Sequence, residues 1–400
     1  MLDLDVHEAE GIVESLRNGV PPTGQLCNFT VGRASQIRQL TNGLHDHDAD
    51  PGVLLLQANY GAGKTHLLRL VREAALKSNY AVALVTVDSK SNVRFNRMDQ
   101  VVSAVMRSIE VPSHRGKGIG NLFDAFLGAD EDEFSNTILD ERAGVTDHER
   151  WSMSQALDSQ PLWVALRAWH LSTDPEIRDY VSDYLGSSWD YSSQPGKLHK
   201  KLVGTLPLRV REPRDEKTMK RDGSFKWSPN DYQASWGALN DMQRLAEMSG
   251  FNGLVLLFDE FEDVIQNMNN IGYERRAFHN LLRLFDRRSY RGAAYFAVTP
   301  EFSQKCQERL LEKEHFDFPI ERFDDLERVL MDPVTKDQFK TLALSIRDVH
   351  SIAYEWDAAE AFPKQRLDAT LQALYSRSSA DQVRQAMVGL VAELDRGLDE

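Results

Sequence analysis

The chain of 400 residues is 42% hydrophobic and 27% charged, with a net charge of −14, enough material for two or three folded domains. Two cysteines, Cys27 and Cys306, exclude a disulfide framework and a cysteine-rich zinc site, and the eleven histidines lack metal-site spacing. No run of about 18 apolar residues exists and the acidic start MLDLDVHEAEG lacks a signal-peptide pattern, so a cytoplasmic protein with no membrane contact is expected. The acidic balance also opposes non-specific coating of nucleic acid, while leaving room for a local basic site.

In chain order, His7–Asn18 carries Ile12, Val13 and Leu16 on one helical face, VPPTG is a loop, and FTVGRASQIRQLTNGL enters a second helix. The turn Val31-Gly32-Arg33 either folds over the base of a nucleotide or simply opens that helix. Leu54–Arg72 then reads LLLQANYGAGKTHLLRLVR. An apolar run ends in a glycine-containing loop, after which Leu67, Leu68, Leu70, Val71, Ala74 and Ala75 recur at helical spacing, giving strand, loop and helix. Such a loop, here Asn59, Tyr60, Gly61, Ala62, Gly63, Lys64, Thr65 and His66, points backbone N–H groups into a concavity at the positive end of a helix dipole. It is read as the phosphate site for ATP. Lys64 would reach the β- and γ-phosphates and the Thr65 hydroxyl would ligate Mg2+. The pattern G-x-x-x-x-G-K-[ST] is met except that Ala58 stands at its first glycine, which costs least where φ is negative.

Tyr80–Asp88 is nearly continuous in apolar residues, as a strand buried on both faces requires. Asp99–Ile109 is helical, and RGKGIG at 115–120 has no strand before it and is read as a linker. Residues 121–235 are too long for a connection and form a mainly helical insertion, with Pro161–Leu171 and Asp174–Leu185 as helical pieces. Within it, Lys197–Trp227 holds ten Lys/Arg against four Asp/Glu, and Phe225 and Trp227 lie near its end. A DNA-contacting segment is one reading; a solvated loop of self-complementary charge is the other.

The second chemical anchor is Gly253–Val264, GLVLLFDEFEDV. A buried strand delivers Asp259 and Glu260 at its carboxyl end, where open parallel sheets bind ligands. Asp259 is expected in the Mg2+ shell and Glu260 as the group that polarises attacking water, with Glu262 next in line. A helix follows with Phe278, Leu281, Leu282 and Phe285. Ala293–Val298 is a further strand, and Thr299 at its tip either hydrogen-bonds the water or γ-phosphate or caps the helix Phe302–Lys313. FPIERFDDL is a short strand or turn bearing Arg322. From Thr335 onward the pattern is helical: Gln338–His350, Ala358–Phe362, Asp368–Tyr375 and Asp381–Arg396, the last carrying Arg384.

This succession of GKT, hhhhDE, a Thr-tipped strand and a helical end with an arginine resembles the AAA+ ATPases, most of all their origin-recognition and replication-initiator group. The resemblance implies that Thr299 and Arg384 hold the first and second sensor positions. It puts Arg322, or Arg309, where an arginine finger would act across a subunit boundary. The segments IVESLRNGVPPTG, FTVGR, ANYGAGKTHLLRLVREAAL, RFNR, LLFDEFEDV and DVHSIAYEW are similar to the ATP-binding proteins of BREX phage-defence systems, the BrxC/BrxD type. That likeness spans residues 10–125 and 235–400, and no winged-helix domain of the origin-recognition kind follows the lid. It implies an α/β AAA+ core with an N-terminal helical segment (1–50), two core parts (51–120 and 236–330) around the insertion, and an α-helical lid (331–400). The implied activity is hydrolysis of Mg-ATP to drive or gate a partner or DNA complex in phage defence. The implied assembly is a homo-oligomer with a helicase or other defence-system protein as partner. A nucleotide-gated scaffold without turnover is the rival reading.

Overall fold

Side chains alternate across a strand, so a strand buried on both faces must feed two cores at once. In the computed structural model this is what organises the molecule. It describes residues 4–20, 22, 29–45, 52–87, 93–112, 114–129, 157–186, 232–262, 271–287, 289–312, 320–331, 334–377 and 382–399. The basic segment 197–227 lies outside the described residues.

Six strands form one sheet: β1 (Val53–Gln57), β2 (Ala81–Thr86), β3 (Ile109–Glu110), β4 (Leu254–Asp259), β5 (Ala293–Val298) and β6 (Glu327–Leu330). Their order is β3-β2-β4-β5-β1-β6, with every pairing parallel except the short antiparallel β3 on β2. The chain is therefore α/β, as expected. Leu55, Ala83, Leu256, Phe258, Ala294 and Phe296 point into one core. Their neighbours Leu54, Leu56, Val82, Val255, Leu257, Tyr295 and Ala297 point into the other.

The second face is covered by α2 (Ala34–His45) and α3 (Lys64–Lys77), through Leu40, Leu44, Leu67, Leu68, Val71 and Ala75. The first face is covered by α4 (Met98–Ser108), α5 (Ile119–Leu127), α6 (Gln160–Leu171), α7 (Pro175–Gly186), α8 (Tyr232–Met248), α9 (Ile271–Phe285) and α10 (Phe302–Glu312). The helices expected in the insertion thus pack into the same core as the sheet. Asp241 of α8 ties down the start of α6, its carboxylate accepting the N–H groups of Asp158 at 2.9 Å and Ser159 at 2.7 Å.

A third core lies outside the sheet layers. It joins α1 (Val6–Arg17) to α11 (Lys336–Ala353), α12 (Ala358–Ala361), α13 (Lys364–Arg377) and α14 (Gln382–Asp399). Ala9, Ile12, Val13 and Leu16 of α1 meet Phe339, Ile346, Leu390 and Leu394 there. A part-buried polar network around His350 locks the arrangement. Arg17 donates to both oxygens of Asp395, at 3.2 and 2.9 Å, and to the Tyr354 hydroxyl at 2.9 Å. Trp356 donates its indole N–H to Nδ1 of buried His350 at 3.0 Å, so the ring's remaining proton is on Nε2, 3.0 Å from Asp395. Burial lowers the proton affinity of His350, in keeping with a neutral ring.

Asp395→Ala removes the acceptor for Arg17 and for His350 together. It is expected to lower the stability of the helical block by about 2–3 kcal/mol, since hydrogen bonds to charged groups are the strong ones. Urea unfolding followed by circular dichroism, beside wild type, measures the loss.

Candidate nucleotide site

β5 lies between β1 and β4, and all three run parallel, so their carboxyl ends open on the same edge of the sheet. β1 leads there into the loop Ala58–Gly63. Gly61 and Gly63 adopt φ of 74° and 94°, the left-handed region that a side chain disfavours, which is why glycine stands at both. Ala58 stays out of that region, is buried against Leu56 and Leu67 in the second-face core, and donates its N–H to Val298 at 3.1 Å. The loop turns directly into α3, whose N-cap Gly63 offers no side-chain cap, leaving the first helical N–H groups for a ligand.

Lys64 is the first residue of α3. Its Nζ donates to the Ala58 carbonyl at 3.0 Å, lies 3.3 Å from Oε1 of Glu262, and sits 4.9 Å from the centre of the Tyr60 ring. β4 delivers Asp259, which is buried and accepts the N–H of Glu260 at 3.0 Å. Glu260 itself has φ of 54°, an uncommon conformation for a residue with a side chain and one that concentrates at functional sites. This kink has a visible effect. Phe261 drops into the core, its N–H bonded to Ala297 at 3.2 Å and its ring edge-on to Phe95 and Phe296. Glu260 is left exposed and Glu262 is buried, and both line the same cavity.

That cavity, about 540 Å3, lies between the sheet edge and the helical block. Asn59 to His66, Asp259 and Glu260 form its polar floor, and Val31, Arg33 and Arg384 join them from other elements. Leu16, Val20, Phe29, Leu342, Val383 and Met387 make an apolar wall. A volume of this size, lined by both polar and apolar groups, is large enough for a small-molecule ligand. Arg33 donates to the Ala62 carbonyl at 3.1 Å, bracing the loop before α3. Gly32 has φ of 66°, and a Cβ there would collide with the Gln338 amide of α11. Gly19, φ 65°, likewise leaves room for Arg384.

Two expected residues stand apart from the cavity lining. Thr299 is buried at the tip of β5, between the strands that carry the two motifs. Arg322 lies on the 3-10 turn Ile320–Phe323, exposed and 3.2 Å from Asp286. Its alternative, Arg309, is engaged at 3.0 Å by buried Glu274 of the same chain. The Glu262–Lys64 pairing and the apolar wall from α11 and α14 were not foreseen from the sequence. Both are contacts between distant segments, and no local spacing signals them.

His66, on the first turn of α3, lies with Nε2 2.8 Å from the Thr30 hydroxyl. Burial, with Arg69 and Arg33 nearby, lowers its pKa to about 4. The unfolded imidazole titrates near 6.5, so as pH falls the unfolded state takes up the proton first. The contribution of neutral His66 is full above pH 6.5 and lost between 6.5 and about 4. Thermal melts across this window are expected to show a shallower pH dependence for His66→Asn than for wild type.

No curated protein and no solved structure matches the chain. A family profile described as BREX system ATP-binding protein BrxC/D matches residues 5–161 and 211–395, covering β1, β4, the loop before α3 and most of the helical block. The chain belongs to the BrxC/BrxD family of BREX system ATP-binding proteins.

Proposed function

We propose that this chain is an AAA+-type ATPase of phage defence, binding Mg-ATP in the cavity and hydrolysing it to gate assembly with a partner. The observation that carries this is a convergence: Lys64 and Thr65 from β1–α3, Asp259 and Glu260 from β4, and Arg384 from α14 line one cavity. Membership of an ATP-binding family supports the nucleotide. The two-toned cavity supports its orientation, with base against Val31, Leu342, Val383 and Met387 and phosphates on the α3 N-terminus.

Thr65 and Asp259 would hold Mg2+, and when bound it would supply positive charge beside the phosphates. Glu260 orients water and accepts its proton, Thr299 hydrogen-bonds at the strand tip, and Lys64 and Arg384 offset negative charge. The helical block of α1 and α11 to α14 acts as the lid, so nucleotide bound between lid and sheet edge biases their relative position. Arg322, exposed on the turn before β6, supplies the finger to a neighbouring copy in a homo-oligomer. The partner is a helicase or another protein of the same defence system. DNA contact, carried by 197–227, would be weak, sequence-tolerant and steeply salt-dependent.

Lys64→Ala is expected to abolish ATP binding and, by stripping buried Glu262 of its cation, to lower stability; titration calorimetry beside wild type tests the binding, with circular dichroism showing that the variant is folded. Equal affinity in the two would sink the phosphate-loop reading. Glu260→Gln is expected to keep ATP binding and lose turnover by roughly 10²-fold or more, the scale of a positioned base. A phosphate-release assay reads this. Absence of turnover in the wild type, with and without DNA, would favour the non-hydrolysing scaffold instead.

A further inference from the structure

The phosphate-binding lysine is already engaged. Nζ of Lys64 spends one donor on the Ala58 carbonyl and faces Glu262 at 3.3 Å, with the two side chains 8% and 3% exposed. Neither carboxylate oxygen of Glu262 accepts a hydrogen bond among the described residues, so the contact with Lys64 is a charge pair without hydrogen-bond alignment. A buried carboxylate in that condition depends on its cation, because burial strips it of water and nothing else replaces that water. The other acids of the cavity are better served. Asp259 accepts a backbone N–H, and Glu260 is exposed. Glu262 is also held where it is, since Phe261 anchors the preceding residue among Phe95, Phe296 and Phe302.

We propose that Glu262 is a displaceable counter-ion that holds Lys64 while the phosphate site is empty and must yield the lysine to an incoming phosphate. Carboxylate and phosphate compete for one compact ammonium with three donors, of which Ala58 already takes one. Glu262 thereby acts through Lys64 as a positioning residue and weakens binding of any nucleotide that carries phosphates. A nucleoside without phosphates has no claim on Lys64 and is indifferent to Glu262. This role exists only if the cavity takes nucleotide, as proposed above.

The test is titration calorimetry of wild type and Glu262→Gln with ATP, ADP and adenosine at one ionic strength. The variant keeps the shape of the side chain and removes its charge. It is expected to bind ATP and ADP about 10- to 100-fold tighter than wild type, the scale of a modest buried charge interaction, with adenosine affinity unchanged. ATP affinity equal to or weaker than wild type overturns the proposal. So does a gain for adenosine that matches the gain for ATP, which would mean a reshaped pocket. Failure of the wild type itself to bind ATP overturns the nucleotide-site reading instead, and is told apart by that one titration. Should Glu262→Gln not fold, Glu262→Asp draws the carboxylate back by one methylene. It too is expected to bind ATP more tightly than wild type, and equal affinity overturns the proposal.

Discussion

The parallel pairing of β5 with β1 on one side and β4 on the other is the constraint on which the site depends. Each of these strands is buried on both faces, so a slip of one residue would exchange two hydrophobic cores, and the register is fixed tightly. With register fixed, the ends of the strands are fixed too. The loop after β1, the acids after β4 and Thr299 after β5 must then open on one edge, although long stretches of sequence separate them. Chemistry at that edge is a consequence of packing well below it.

The local conformations complete the positioning. Left-handed glycines at Gly61 and Gly63 turn the loop so that α3 starts at its rim, with no capping side chain to occupy its N–H groups. The left-handed Glu260 does the opposite service on the facing strand, parting two acidic residues so that one meets solvent and the other is buried. A strained non-glycine residue costs about 1–3 kcal/mol and persists only where its surroundings enforce it. Here the aromatic cluster around Phe261 and its backbone bond to Ala297 do so.

Much of this was legible in the sequence because the signals are local. The GKT after an apolar run and the Asp-Glu after another each announce a strand, its end and its chemistry within about a dozen residues. The helices of the C-terminal third were legible from their period, and α13 begins at Lys364, earlier than the Asp368 that apolar spacing suggested. What the sequence did not reveal is long-range. The pairing of Glu262 with Lys64 joins the start of α3 to the turn after β4, segments far apart in the sequence. The docking of α1 on α11 and α14 runs through Arg17 and Asp395, both of which look like ordinary surface charges on their own helices. β3, two residues long and paired only with β2, is too short for any periodicity to show.

The sharing of one helical core by α1 and α14 has a consequence for how the protein comes into being. Val383, Arg384 and Met387 close a cavity whose floor is built from residues 59–66 and whose apolar wall they share with Leu16 and Val20. During synthesis the floor and α1 emerge early, but most of the apolar residues that α1 packs with, those of α11 and α14, leave the ribosome last. A nascent chain therefore carries an amphipathic helix that is largely uncovered, beside an incompletely walled loop, for most of its translation. The pocket closes only near the end of synthesis, so a ligand that fills it would select finished chains over truncated ones.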